Sequence, residues 1–395
     1  MKRLLHGLGE LALAAIISGG CSANGGTGHD LGDEPGTKNG PPSSSGGSAT
    51  TMDAGSSPGA DAGIDSGADG GIDSGVDSGS ISGDSGTMAP PSCQAAGNGV
   101  TSCGASGESC CTSLDVPGGT YYRTYASSGS GPTGEADPAT VSGFRLDKYE
   151  VTVGRFRQFV NAWNGGAGWL PAEGSGKHTH LNGGQGLVNA GFDAGVAYEP
   201  GWATSDNGNV APTNANLACE SQFATWTTSA GNNENLPINC VNWWESYAFC
   251  TWDGGFLPSE AEWEYASAGG SQQREYPWGS TDPGTSNQYA IYDCYYPSGS
   301  GPCTGGAAPV GTATLGAGLW GQLDLAGNVN EWNVDWFASY ADPCTDCAYL
   351  TAASYRVMRS GYFYNDPSYL LPPGRSDDPP AVRSVCIGFR CARAP

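Results

Sequence analysis

The chain has 395 residues, a net charge of −23 and 14 cysteines. An acidic chain with no basic stripe repels phosphates, which excludes nucleic acid as a partner. Charge and apolar residues are unevenly spread, so the segments carry different expectations.

Residues 1–20 carry Lys2 and Arg3, then the apolar run Leu11-Ala12-Leu13-Ala14-Ala15-Ile16-Ile17. That run is too short to span a membrane and reads as a secretory signal. Cys21 follows Gly19-Gly20 directly, an arrangement that resembles a bacterial lipoprotein processing site, with Ser18 where an aliphatic residue is more usual. The expectation is an exported lipoprotein at the outer membrane or cell surface, joined to the membrane through a lipid anchor at Cys21. A periplasmic or secreted protein is the alternative.

Residues 21–92 are built from Gly, Ser, Ala, Asp and Pro, with Asp61, Asp65, Asp69, Asp73 and Asp77 recurring every four residues. So little apolar surface cannot offset ordering entropy, and unpaired like charges favour an extended chain. The expectation is a disordered Gly/Ser/Asp-rich tether; the repeats lack the acceptor density of a calcium loop. Residues 93–112 then hold Cys93, Cys103, Cys110 and Cys111. In an exported chain these read as disulfide staples, because a zinc site would call for C-x-x-C pairs or histidines.

The globular domain is expected over 113–395. Val116-Pro117-Gly118-Gly119-Thr120-Tyr121 reads as a turn entering a strand, and residues 141–151 alternate as a strand does. Thr152 then caps a helix with Val153, Phe156, Phe159, Val160 and Trp163 on one face, a core face. Residues 165–228 are rich in Gly and Asn and include Lys177-His178-Thr179-His180. On a strand the two histidines would project the same way as a metal pair, but no third ligand is identifiable. Hydrogen-bonded loop histidines are the favoured reading. Residues 236–243 read as a strand, and Asn242 with Glu245 forms a capping box for the helix that follows. Ser259 with Glu262 forms a second box, flanked by a Pro258/Trp263 staple and stopped by Gly269-Gly270. A surface helix of about ten residues is expected, with Glu260, Glu262 and Glu264 near its positive end.

Several blocks together resemble the formylglycine-generating enzyme family, also called sulfatase-modifying factors. They are VPGGTY at 116–121, FRLDKYEVT at 144–152, GFLPSEAEWEYA at 255–266, YPWG at 276–279, LDLAGNVNEW at 323–332 and GFRC at 388–391. The resemblance implies an α+β fold, a C-type-lectin-like domain with much irregular structure, behind the disordered tether. It implies a disulfide between Cys250 and Cys391, closing a long loop and contributing about 4–5 kcal/mol on the chain-entropy model. It also implies a calcium site made by Asp324, Gly327, Val329 and Glu331, oxygen donors that suit a hard cation. The competing reading is a turn whose polar side chains cap the local backbone. A second family calcium site falls on Ile291 and Pro302, which offer no side-chain oxygen. Cys294 and Cys303 flank that loop, and a disulfide between them is expected to brace it.

In the family, two cysteines after an R-V-x-R block bind Cu(I) and oxidise a substrate cysteine within C-x-P-x-R to formylglycine. Here Arg356-Val357-Met358-Arg359 is followed by Asn365 and about Leu370 at the thiol positions, and no cysteine lies within 359–385. Neither side chain can replace a thiolate on Cu(I), so copper is not expected. Arg375 matches a family arginine, Cys344 and Cys347 read as a closed disulfide, and Cys386 is the one thiol candidate beside the groove. The expectation is a non-oxidase recognition module for a peptide, glycan or protein ligand, which Trp-rich loops such as residues 161–169 would suit. An oxidase with an altered copper site is the alternative. A third, iron-dependent sulfur transfer, calls for a histidine cluster in a chain whose histidines are His6, His29, His178 and His180.

Overall fold

A computed structural model describes residues 89–395 apart from Gly129 and residues 300–302. The expected signal, Cys21, the tether up to residue 88, His6, His29 and Pro302 lie outside the described residues. The tether's expected end at residue 92 is corrected, because Pro91–Cys93 forms a 3-10 turn and Ser92 is buried, its N–H donating to Asp253 Oδ1.

The helices form where the caps are written. Thr152 Oγ1 accepts from Arg155 N at 3.2 Å and starts α1 (Val153–Trp163), whose Val153, Phe156, Phe159 and Trp163 are buried. The strands before it are β1 (Ser113–Val116), β2 (Gly119–Ser127), β3 (Pro132–Val141) and β4 (Phe144–Asp147). After α1 a long loop region carries β5 (Val188–Asn189) and the single turn α2 (Asn214–Leu217). Asn242 and Glu245 form a reciprocal capping box on α3 (Trp243–Trp252), and Ser259 and Glu262 form another on α4 (Glu260–Ala268). Gly269 ends α4 at φ +67°, a left-handed position open to glycine. The C-terminal third holds β6 (Asn330–Trp336), β7 (Cys344–Thr345), β8 (Cys347–Ala348), β9 (Arg356–Arg359), β10 (Ser376–Asp378), β11 (Ile387–Gly388) and β12 (Ala392–Arg393).

Four small sheets result, ordered β1-β4-β12, β10-β9-β6-β11, β2-β3-β7 and β5-β8. The central one pairs β6 antiparallel with β9 and parallel with β11, so 330–336, 356–359 and 387–388 lie side by side. The main core stacks Phe156 on Phe249 at 5.6 Å and sets Phe249 edge-on to Phe389 at 5.4 Å. Cys250 and Cys391 are bonded within that core (S–S 2.04 Å). Among the described residues no helix is long and apolar enough to cross a membrane.

Three readings change. Residues 236–243 are not a strand: Pro237 makes one isolated bridge to Thr152, and Cys240 is left-handed at φ 58°. Asn239 holds the segment as a loop, its amide donating to Phe223 O (2.9 Å) and Val385 O (2.8 Å), while Cys240 bonds to Cys219. The strand expected over 141–151 is likewise shorter, ending at Asp147. The cysteine-rich stretch, braced by Cys93–Cys111 and Cys103–Cys110, packs into the domain rather than standing before it. Cys103 and Cys110 share a core with Tyr149, Val310 and Leu323.

Candidate functional site

Helix α4 is not a surface helix, because all nine of its residues are buried. Its three glutamates therefore need cations, and each finds one from a distant segment. Glu260 takes Arg359 at 2.7 Å and Arg375 at 2.6 Å. Glu264 takes the same Arg359 Nη2 at 2.8 Å, and Tyr340 hydroxyl accepts from that nitrogen at 2.7 Å. The guanidiniums of Arg123 and Arg375 each lie 4.2 Å from the Tyr340 ring. Burial pushes Glu264 up to about 8 despite Arg359. Burial, the largest single influence, would raise Glu260 too, but Arg375 and Arg359 together hold it below the usual carboxylate range. The cavity beside this network, lined by Arg123, Asp335, Tyr340 and Arg375, measures about 10 Å³, room for about one water. The network ties α4 to β9 and to the segment that carries Arg375.

Glu262, the capping-box residue, does a second job. Its Oε2 meets His178 Nε2 at 3.1 Å, while His178 Nδ1 meets Glu199 Oε2 at 3.0 Å. Burial would neutralise this imidazole, but the two carboxylates prevail and raise it to about 10. His180 is a different case. Burial lowers its pKa, both its ring nitrogens lack a partner, and its ring stacks on Phe256 at 5.4 Å. His178 is thus a hydrogen-bonded loop histidine, and among the described residues no group of three or more His, Cys, Asp or Glu could hold a metal ion.

The four expected calcium positions do gather at one turn, with Gly327 at φ +81° and Asp324 at φ 57°. Glu331, Gly327 and Asp324 already have hydrogen-bond partners there. Glu331 receives Arg390 Nε on Oε2 and Nη2 on Oε1, both at 2.7 Å, and Trp263 Nε1 adds a bond to Oε2 at 2.8 Å. Gly327 O accepts from Ser360 Oγ at 3.0 Å, and Asp324 Oδ2 accepts from Gly311 N at 2.6 Å. Sequence reasoning missed Glu150, whose Oε2 takes Asn328 Nδ2 at 2.6 Å beside the same turn. Burial raises its pKa and pushes Asp324 up to about 6. The Arg390 guanidinium on both Glu331 oxygens competes with a cation for that carboxylate, so the residues as arranged disfavour a calcium ion. Full-length protein is accordingly expected to melt within about a degree of the same temperature with calcium or with chelator. Occupancy of a real site at a hundredfold excess over Kd would add about 2.7 kcal/mol, so a clear rise with calcium would overturn this arrangement.

The segment that would carry a copper pair is built into the fold. Asn365 Oδ1 accepts from Tyr362 N at 3.0 Å and its carbonyl accepts from Asp293 N at 2.8 Å. Leu370 is buried beneath Ala290, Tyr292 and Ala326. Cys294 is bonded to Cys303 and Cys344 to Cys347, and no described cysteine is free. Cys386, the one thiol candidate, is buried and carries no free thiol.

These features, the small-sheet scaffold, the buried E-A-E-W-E helix and the G-F-R-C segment that runs from the end of β11 to β12, define a sulfatase-modifying-factor type of domain. Residues 103–395 match the family model described as the sulfatase-modifying factor enzyme 1-like domain, and the chain belongs to that family. It is 30% identical to the formylglycine-generating enzyme of Thermomonospora curvata over 310 residues, 71% of this chain and 92% of that one. It is 30% identical to the mouse formylglycine-generating enzyme over 270 residues, 64% of this chain and 66% of that protein's length. It is also 32% identical to the mouse protein called inactive C-alpha-formylglycine-generating enzyme 2, over 43% of this chain and 54% of that one.

Proposed function

We propose that this protein is an exported, lipid-anchored member of the family that recognises a peptide, glycan or protein ligand and does not oxidise it. One observation carries the reading. Where the family holds its copper thiols, this chain has Asn365 and Leu370, the first fixed by hydrogen bonds and the second packed in the core. An amide oxygen and an isobutyl group offer Cu(I) no soft ligand. The mouse relative called inactive is consistent with loss of the chemistry on this fold, since a fold persists when a site is replaced. The leader text, an apolar run followed by Gly19-Gly20-Cys21, supports anchoring at Cys21, which would put the domain at the outer membrane or cell surface. The second reading, an oxidase with an altered copper site, rests on the similarity to the Thermomonospora curvata enzyme over most of that enzyme's length.

The deciding experiment is incubation of the full chain with Cu(I), oxygen and a C-x-P-x-R peptide, following peptide mass beside an active relative. Unchanged peptide is expected. A loss of mass matching conversion of thiol to aldehyde would establish the oxidase reading instead.

A further inference from the structure

We propose that the aromatic surface around Tyr292 binds a basic peptide segment, with arginine or lysine side chains laid on tyrosine and tryptophan faces between carboxylates. This rests on the recognition reading above and names the ligand class for it. Tyr292 is itself buried over Leu370, and the half-buried Tyr276, Trp278 and Tyr295 pack around it and form the accessible surface. Tyr276 and Trp278 stack at 4.9 Å with planes 2° apart, and Tyr292 meets Tyr295 edge-on at 5.2 Å. Tyr292 hydroxyl donates to Gly284 O at 2.7 Å, which ties the intervening loop to the surface. Asp293 N donates to Asn365 O and Cys294 N to Phe363 O, both at 2.8 Å, and so places Tyr364, 52% exposed, beside Asp293.

Charge selects the occupant. Asp282 and Asp293 are exposed. Asp282 Oδ1 accepts at 2.8 Å from the N–H of Gly284, whose carbonyl takes the Tyr292 hydroxyl, and Asp293 follows Tyr292 directly in the chain. No lysine or arginine occurs from 275 to 355 or from 360 to 374. Arg274, the nearest cation in sequence, is occupied, donating from Nη1 to Pro277 O and from Nε to Gln272 Oε1. Aromatic faces and carboxylates both attract cations, and here no fixed cation competes for either. Several aromatic groups and separate carboxylates spread along one strip suit a segment with more than one cationic side chain.

The test is a titration of the full chain, at about 150 mM salt, with a short peptide of alternating glycine and arginine. The same peptide with neutral citrulline serves as comparison. At that ionic strength charges more than about 8 Å apart are largely screened, so diffuse attraction to an acidic chain is suppressed. The arginine peptide is expected to bind and the citrulline peptide not. Asp282→Asn with Asp293→Asn should weaken binding about tenfold, and Tyr364→Ala about threefold, the size of one exposed cation–π contact. All three side chains are exposed, and unchanged melting would verify that the variants fold. Absence of binding, equal binding of the citrulline peptide, or equal weakening by the remote exposed pair Glu135→Gln and Asp193→Asn would each overturn the proposal. Oxidase activity would show as a change in peptide mass, so failure of the recognition reading is distinguishable from failure of this one.

Discussion

Arg155→Met is expected to destabilise the protein by about 3 kcal/mol and to loosen residues 91–111 before the rest of the domain. The Arg155 side chain is wholly buried and reaches Asp147 at 2.9 Å and Asp253 at 2.6 Å. It also donates to Ser92 Oγ at 3.0 Å and Cys110 O at 3.2 Å, so one guanidinium joins α1, the end of α3 and the cysteine-rich segment. Methionine fills similar volume but leaves two buried carboxylates with less compensation. Arg393 remains on Asp253 at 2.8 Å and near Asp147 at 3.4 Å, which keeps the loss toward the lower end of what a broken buried pair costs. Amide exchange at Ser92, whose N–H donates to Asp253 Oδ1 at 2.9 Å, is the sensitive readout. If Ser92 exchanges as slowly in the variant as in the parent, the clasp is not what secures the segment.

The same guanidinium shows where sequence reading stops. Caps are local, so Thr152, the Asn242–Glu245 box and the Ser259–Glu262 box announced α1, α3 and α4 within a residue or two. Partners across 98 residues, as for Arg155 and Asp253, leave no periodic trace. Helix α4 makes the point most sharply. Three glutamates in five residues look like a solvated, dipole-favoured face, yet Arg359, Arg375 and His178 arrive from elsewhere and the whole helix is buried. A legible clue existed: no lysine or arginine stands on the helix itself to pair with them. Most C-terminal strands have two to four residues, too short for an alternating pattern, and only the resemblance of the blocks around them placed the fold. The missing thiols were legible outright, because absence of cysteine from 359–385 needs no register. The calcium turn was legible as a cluster of positions, but not the Arg390 guanidinium that occupies Glu331.

His178→Gln is expected to cost about 3–5 kcal/mol, because it leaves Glu199 and Glu262 facing each other's charge in a dry interior. For a domain this large that corresponds to a fall in Tm of roughly 10 °C. The pH dependence gives a second, independent signature. The folded-state pKa of about 10 lies above the ordinary 6.5, so the folded protein holds a proton that the unfolded chain releases in between. The stabilisation is therefore fully present below about pH 6.5, declines as pH rises and is gone beyond about pH 10. Its full size is on the order of 5 kcal/mol, and the corresponding downward slope of stability should vanish in the glutamine variant. Proton NMR of the ring would show His178 still an imidazolium at pH 8, when His180, whose pKa is lowered by burial, is neutral. A His178 ring that titrates near 6.5 would mean that the two carboxylates do not grip it, and Glu262 would then serve only as the cap of α4.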